Sequence, residues 1–218
     1  MYFFHNLFFC ICMLFSVCQA AGPFPDAYPD VYESIEVLPE KFHGWHTHKR
    51  QVEDLFSRKN IQTVIEVGVW LGNWTAVVAP KLPETGVYYA IDHWKGSQEH
   101  HNPGTLEYTL LPNLFQQFLS NMLHRDLADK VIPVRMQSLP AARKFRLLGI
   151  RADLIYIDAG HKYAEVFQDI ASWYPLLTEG GILCGDDWNL GRVSHAVKDY
   201  AKKQNLKWHV DGEFWWYE

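Results

Sequence analysis

The sequence predicts a doubly wound α/β fold: a mostly parallel sheet with helices on both faces and an antiparallel hairpin strand at its C-terminal end. Two patterns carry that prediction. Short β-branched runs alternate with amphipathic stretches at steps of about thirty residues, the spacing of strand–helix–strand units. Asp211-Gly212 then separates two apolar runs, Trp208–Val210 and Phe214–Tyr217, which is a strong signal for a tight hairpin.

The elements follow in order. Trp45–Arg58 places Val52, Leu55 and Phe56 at helical spacing. Ile61–Val67 (IQTVIEV) is a β-branched run and hence a buried strand, and Asn73–Ala79 is a helix closed by Pro80. Val87–Ile91 is a second strand, followed by a polar loop over His93–Gly104. Leu111–Leu123 reads as helix, Val131–Val134 as the third strand and Pro140–Leu148 as helix. Ala152–Ile157 is the fourth strand, followed by a helix over Ala164–Tyr174 that Pro175 ends. Gly181–Cys184 is the fifth strand and Val193–Lys203 the last helix. Ligands of such sheets bind beyond the carboxyl ends of the strands, near the switch in strand order, so the residues just after each strand are the first candidates for a site.

The N-terminus has a different character. Met1–Ala21 contains no Lys, Arg, Asp or Glu, and Leu7–Val17 is an apolar run of signal-peptide length followed by the small residues Ala20-Ala21. A basic leader is missing, and the run is too short for a membrane span. Residues 1–21 are read as a signal-like or anchoring segment, 22–43 as a linker carrying Pro23, Pro25, Pro29 and Pro39, and 44–218 as one domain. Cys10, Cys12 and Cys18 fall in the leader, so Cys184, set in an apolar run, is the one domain cysteine and reads as a buried inert thiol.

Hydrophobic residues make up 48% of the 218, which excludes a largely disordered chain. The net charge of −5 excludes a broadly basic surface, so no nucleic-acid partner is expected. A homo-oligomer is left open.

The first strand runs into Glu66-Val67-Gly68-Val69-Trp70-Leu71-Gly72-Asn73. Glycines at 68 and 72 permit a tight turn and a close approach by a ligand. Their G-x-x-x-G spacing differs from the G-x-G-x-x-G of dinucleotide binders and speaks against a nicotinamide oxidoreductase. Asp92 ends the second strand, where a carboxylate can accept from both hydroxyls of a ribose. This combination resembles the class I S-adenosylmethionine (SAM) methyltransferases over about Trp45 to Glu218. The resemblance implies a Rossmann-like, seven-stranded sheet. It also implies that Glu66 orients the methionine end of SAM, Gly68 and Gly72 line its adenosine, Asp92 holds the ribose, and Gln137 and Ser138 reach the adenine.

The fourth strand ends in Asp158-Ala159-Gly160-His161 and the fifth in Asp186-Asp187. If these strands are neighbours, their tips lie about 5 Å apart and three carboxylates converge. Their repulsion favours a hard cation such as Mg²⁺, whose ligands are oxygens. A single Asp at a strand end is more often a turn former or a helix cap. The set resembles the metal-dependent O-methyltransferases: the catechol type, the macrocin and novobiocin types, and the cephalosporin hydroxylase-like group. That resemblance implies Asp158, Asp186 and Asp187 as metal ligands, with Asp158 also bordering the cofactor. In the catechol enzymes a Lys base stands where this chain has His161, and Asp187 stands where they have Asn, so the base is less well specified than the cage. With its pKa near neutrality, His161 is the candidate base.

The expected reaction is methyl transfer from SAM to a hydroxyl of a small acceptor such as a sugar, catechol or natural product, assisted by the cation. Adjacent oxygens on the acceptor would chelate best, and Trp70, Trp74, Trp94 or Trp188 could wall its pocket. The alternative is a SAM- or metal-binding protein of the same fold without transferase activity. The leader points to export or membrane anchoring and the need for SAM points to the cytoplasm, so the sequence leaves the location open.

Overall fold

A computed structural model describes residues 30–44 and 48–218 of the chain. The signal-like segment and the first part of the proline-rich stretch lie outside the described residues. Among those described, no helix is long and apolar enough to cross a membrane.

The short helix α1 (Asp30–Glu33) precedes α2 (Lys49–Arg58), β1 (Thr63–Val67), α3 (Asn73–Val78) and β2 (Val87–Asp92). Then come α4 (Leu106–Leu110), α5 (Leu114–His124), β3 (Val131–Arg135), α6 (Ser138–Leu148) and β4 (Ala152–Ile157). The chain closes with α7 (Tyr163–Trp173), β5 (Leu177–Gly185), α8 (Gly191–Gln204), β6 (Trp208–Asp211) and β7 (Phe214–Tyr217).

Seven strands form one sheet in the order β3-β2-β1-β4-β5-β7-β6. The first five are parallel, while β7 runs antiparallel to both β5 and β6. The fold is therefore the Rossmann-like sheet with a C-terminal hairpin that the sequence predicts. The order reverses between β1 and β4, and this is where a ligand crevice opens.

Strand alternation sorts the core into two layers. Val64, Tyr88, Leu154, Tyr156 and Phe214 face one way, under α2, α3 and α5. Ile65, Ile91, Val134, Ile155 and Trp215 face the other, under α6, α7 and α8. Burial of this much apolar surface is the main force holding the sheet together. Cys184 is fully buried, and its thiol donates to the carbonyl of Ile155 at 3.6 Å.

Beyond α1 and α4, which the sequence does not predict, three elements begin more than two residues from their expected start. The helix expected at Leu111–Leu123 starts at Leu114, because Pro112 lacks a backbone N–H and sits in a 3-10 turn over Leu111–Asn113. The helix expected from Trp45 begins at Lys49, with His48 before it in the left-handed region at φ 48°. The fifth strand is longer than expected, reaching back to Leu177 through an irregularity in its pairing with β4.

The described part of the proline-rich stretch, α1 and the irregular chain after it, is strapped to the domain. Tyr32 Oη donates to the Val131 carbonyl at 3.0 Å. The Leu38 N–H donates to Ser120 Oγ at 3.0 Å and the Lys41 N–H to Asn121 Oδ1 at 2.9 Å. Asn121 Nδ2 returns bonds to the carbonyls of Lys41 and Leu71. Gln117 Nε2 donates to the Pro39 carbonyl at 2.9 Å, and together these bonds explain why α5 buries Gln117, Ser120 and Asn121, residues that otherwise avoid a core.

Candidate active site

The carboxyl ends of β1, β2, β3, β4 and β5 open into a cavity of about 1340 Å³. That exceeds the usual range of about 300–1,000 Å³ for a single small-molecule pocket, leaving room for two reactants side by side.

The β1–α3 turn forms its floor. Gly68 sits at φ +89°, and a Cβ there would lie 1.9 Å from the backbone oxygen of Asp158. Only glycine fits, because β4 passes directly beneath the turn. Gly72, also expected to line the cofactor, does not border the cavity. It sits at φ +83°, and a Cβ there would meet Met122 Cε at 2.7 Å and Phe118 at 3.0 Å. Its glycine is needed for the seating of α3 against α5.

Asp92 organises the same turn. Its Oδ2 accepts the N–H groups of Val69 at 2.9 Å and Trp70 at 3.0 Å, and its Oδ1 accepts the Trp94 N–H at 2.7 Å. The carboxylate borders the cavity while it ties the β1 turn to the β2 loop. Glu66 lies deeper, 2% exposed, with Thr75 Oγ1 and Tyr88 Oη both donating to its Oε2 at 2.5 Å. Burial pushes its carboxyl up to about 8, against the two hydrogen bonds and with a small contribution from Asp92. Glu66 is therefore largely protonated near neutral pH.

Gln137 and Ser138 stand at the start of α6, on the cavity wall. The Ser138 hydroxyl, expected to reach the adenine, already has two partners. It accepts from Trp173 Nε1 at 2.9 Å and donates to Asp169 Oδ1.

The acidic cluster sits at the tips of β4 and β5. Ile157 pairs with Gly185, so Asp158 and Asp186 follow side by side, and Asp187 is next in a left-handed conformation at φ 62°. Asp158, His161 and Asp187 bring ligand atoms within 4.8 Å of one another. His161 Nε2 lies 2.8 Å from Asp187 Oδ2. Asp186 turns elsewhere, with its Oδ1 2.9 Å from His48 Nε2 and accepting the Asp187 N–H at 2.7 Å. Burial first, and then Asp186 and Asp187, push the Asp158 carboxyl well above the usual carboxylate range, with His161 opposing. Beneath them Tyr156 Oη is buried without a hydrogen-bond partner among the described residues, and its ring stacks on Trp74 at 4.0 Å.

Of the four tryptophans considered as pocket walls, Trp70 and Trp74 border the cavity. Trp94 packs on Phe115 and Phe118 and donates its Nε1–H to the Trp70 carbonyl, while Trp188 lies under Lys198. Sequence reasoning did not select His48, His43 or Asp169. The histidines carried a signal in the His-rich run 43–48, but nothing in that run identifies Asp186 as a partner. His43 reaches Glu107 at 3.4 Å on the cavity rim.

A family model described as a methyltransferase domain matches residues 65–188, which contain both the glycine turn and the acidic cluster. The chain belongs to this methyltransferase family. Solved structures share its fold at low identity. An O-methyltransferase from Bacillus cereus, solved with SAH, has a TM-score of 0.60 at 14% identity over 86% of each chain. The O-methyltransferase TomG from Streptomyces achromogenes, solved with SAM, has a TM-score of 0.61 at 12% identity over 80% of each chain. The O-methyltransferase NovP has a TM-score of 0.54 at 17% identity, covering 78% of this chain and 76% of its own.

Proposed function

We propose that this methyltransferase moves the methyl group of SAM to a hydroxyl of a small acceptor, with a hard divalent cation at the tips of β4 and β5. The observation that carries this reading is the convergence of Asp158, His161 and Asp187 at one end of a cavity with room for a cofactor and an acceptor. The solved relatives with SAM or SAH support the choice of methyl donor.

Gly68, Glu66 and Asp92 would hold the cofactor. The flat turn at Gly68 admits the nucleoside, and Asp92 sets the turn while presenting its carboxylate to the ribose. Both hydroxyl donors to Glu66 go to Oε2, so Oε1 would accept the ammonium of the methionine tail once that positive charge draws the carboxyl into its ionised form. Holding donor and acceptor in line supplies about 7–11 kcal/mol of the barrier reduction, since the sulfonium methyl is already activated.

The acidic cluster fits a cation. Asp158 is half-buried beside two further carboxylates; burial first and then these neighbours raise its carboxyl, and a cation would favour its ionised form. Asp158, Asp187 and His161 would hold the ion, and Asp186 would join them on leaving His48. When bound, the ion lowers the pKa of an acceptor hydroxyl and fixes its position. Two adjacent hydroxyls on a sugar, catechol or natural product would suit it best.

The His161–Asp187 pair favours a second reading of the same cluster. An imidazole held by a carboxylate is a base that takes the hydroxyl proton without a metal. Labelled-methyl turnover against a panel of vicinal diols and catechols, with Mg²⁺ or with EDTA, tests both. Activity that survives EDTA and is lost in His161→Ala selects the metal-free base. SAM binding by titration with no methyl transfer to any acceptor would leave a binding protein of this fold.

A further inference from the structure

We propose that Asp169 reads the adenine end of the cofactor, its second carboxylate oxygen accepting a hydrogen from the exocyclic amino group; this rests on SAM occupying the cavity. Asp169 lies on α7, 5% exposed, and its exposed edge borders the cavity beside the start of α6.

The direction of its hydrogen bonds leads to this role. An indole N–H can only donate, so Ser138 Oγ accepts from Trp173 and its own hydrogen goes to Asp169 Oδ1. The chain ends on Asp169, which is an acceptor only. Among the described residues no donor reaches Oδ2. Oδ2 is therefore the acceptor that Asp169 presents to the cavity, and a ligand N–H can fill it.

The surroundings match a flat heterocycle with an N–H edge. Met136, Leu139 and Pro140 give that part of the cavity an apolar wall. Glu165, one turn before Asp169 on α7, adds acceptor character, and its own Lys162 holds it at 3.1 Å. Burial raises the Asp169 carboxyl to about 6, with Glu165 adding to the effect, so at neutral pH it remains an ionised acceptor. Asp169 meets Ser138 just beyond the tip of β3, whereas the acidic cluster sits at the tips of β4 and β5 with β2 and β1 between, which puts the methyl-transfer end of the cofactor away from Asp169. A 6-oxo purine would instead set a carbonyl oxygen against the carboxylate, which is repulsive.

The test is titration of the full chain with S-adenosylhomocysteine and with its deaminated analogue, S-inosylhomocysteine. The wild-type protein should prefer the adenine form by about 10–100-fold, the range for a hydrogen bond to a charged group. In Asp169→Asn the amide can still accept from Ser138 while turning an N–H toward the 6-oxo group, so the preference should fall to within about threefold of unity. An Asn variant that weakens both ligands equally would mean Asp169 acts only through Ser138, and overturns the proposal. So does a wild-type protein that binds both forms alike, whatever the variant's folding. If the wild type binds neither ligand, the cofactor reading itself fails, and this proposal with it.

Discussion

His48 and Asp186 meet at 2.9 Å although they enter the site from the front of α2 and the tip of β5. Both are buried, at 6% and 7% side-chain exposure, so the pair holds the start of α2 against the acidic cluster. His48 also adopts a left-handed backbone, φ 48° and ψ 38°, that few side chains tolerate. Replacing it with Ala should cost about 3 kcal/mol, because the buried Asp186 loses its histidine partner. His48→Asn should cost less, since Asn accepts the left-handed conformation and can still donate. Thermal or denaturant unfolding of the two variants measures the difference.

Glu66 makes stability depend on pH in an unusual direction for a carboxyl. Its pKa rises from 4.5 to about 8 on folding, so the folded protein keeps a proton that the unfolded chain releases. The contribution is complete below 4.5 and is lost as pH climbs through about 8. Glu66→Gln keeps an acceptor for Thr75 and Tyr88 but cannot ionise. Its melting temperature should therefore fall less than that of the wild type between about pH 5 and 9, the gap corresponding to a few kcal/mol. Parallel slopes for the two proteins would remove the assignment.

Asp158 faces two carboxylates from the neighbouring strand tip. Asp158→Asn removes repulsion and should raise the melting temperature in EDTA by the equivalent of about 1 kcal/mol or more. The same change should abolish any stabilisation by Mg²⁺ or Mn²⁺ and any metal-dependent turnover, while SAM affinity changes little. Thermal shift with and without the cation, beside a SAM titration, reads all three.

Asp92 has a double task, and its removal should show both. Asp92→Ala leaves the N–H groups of Val69, Trp70 and Trp94 without their acceptor, at a cost of about 1–3 kcal/mol in stability. It also deletes the ribose partner, so SAM affinity should fall at least about tenfold. Unchanged affinity in a destabilised variant would confine Asp92 to holding the turn.

The sheet was legible because periodicity reports burial directly. Val64 and Ile65 alternate between the two core layers, and Ala152–Ile157 has the boundaries the sequence predicts. The convergence of Asp158 with Asp187 follows from strand adjacency, a property of the backbone. What stayed hidden depends on which side chain wins a partner. Asp186 could bind His48 or a cation, and only packing decides. Gly72 looks like part of a ligand turn, yet Phe118 and Met122 set its size limit. Asp169 carries no motif at all; it matters because Ser138 and Trp173 happen to point a hydrogen-bond chain at it. The strap over α5 was hidden for the same reason, since its donors pair with polar residues in the middle of an otherwise apolar helix face.

That strap also fixes where the chain joins the domain. Tyr32 is pinned to Val131, the first residue of β3, at the foot of the sheet, whereas the cavity opens at the opposite, carboxyl ends of the strands. The described chain therefore enters the domain on the side opposite the mouth of the cavity.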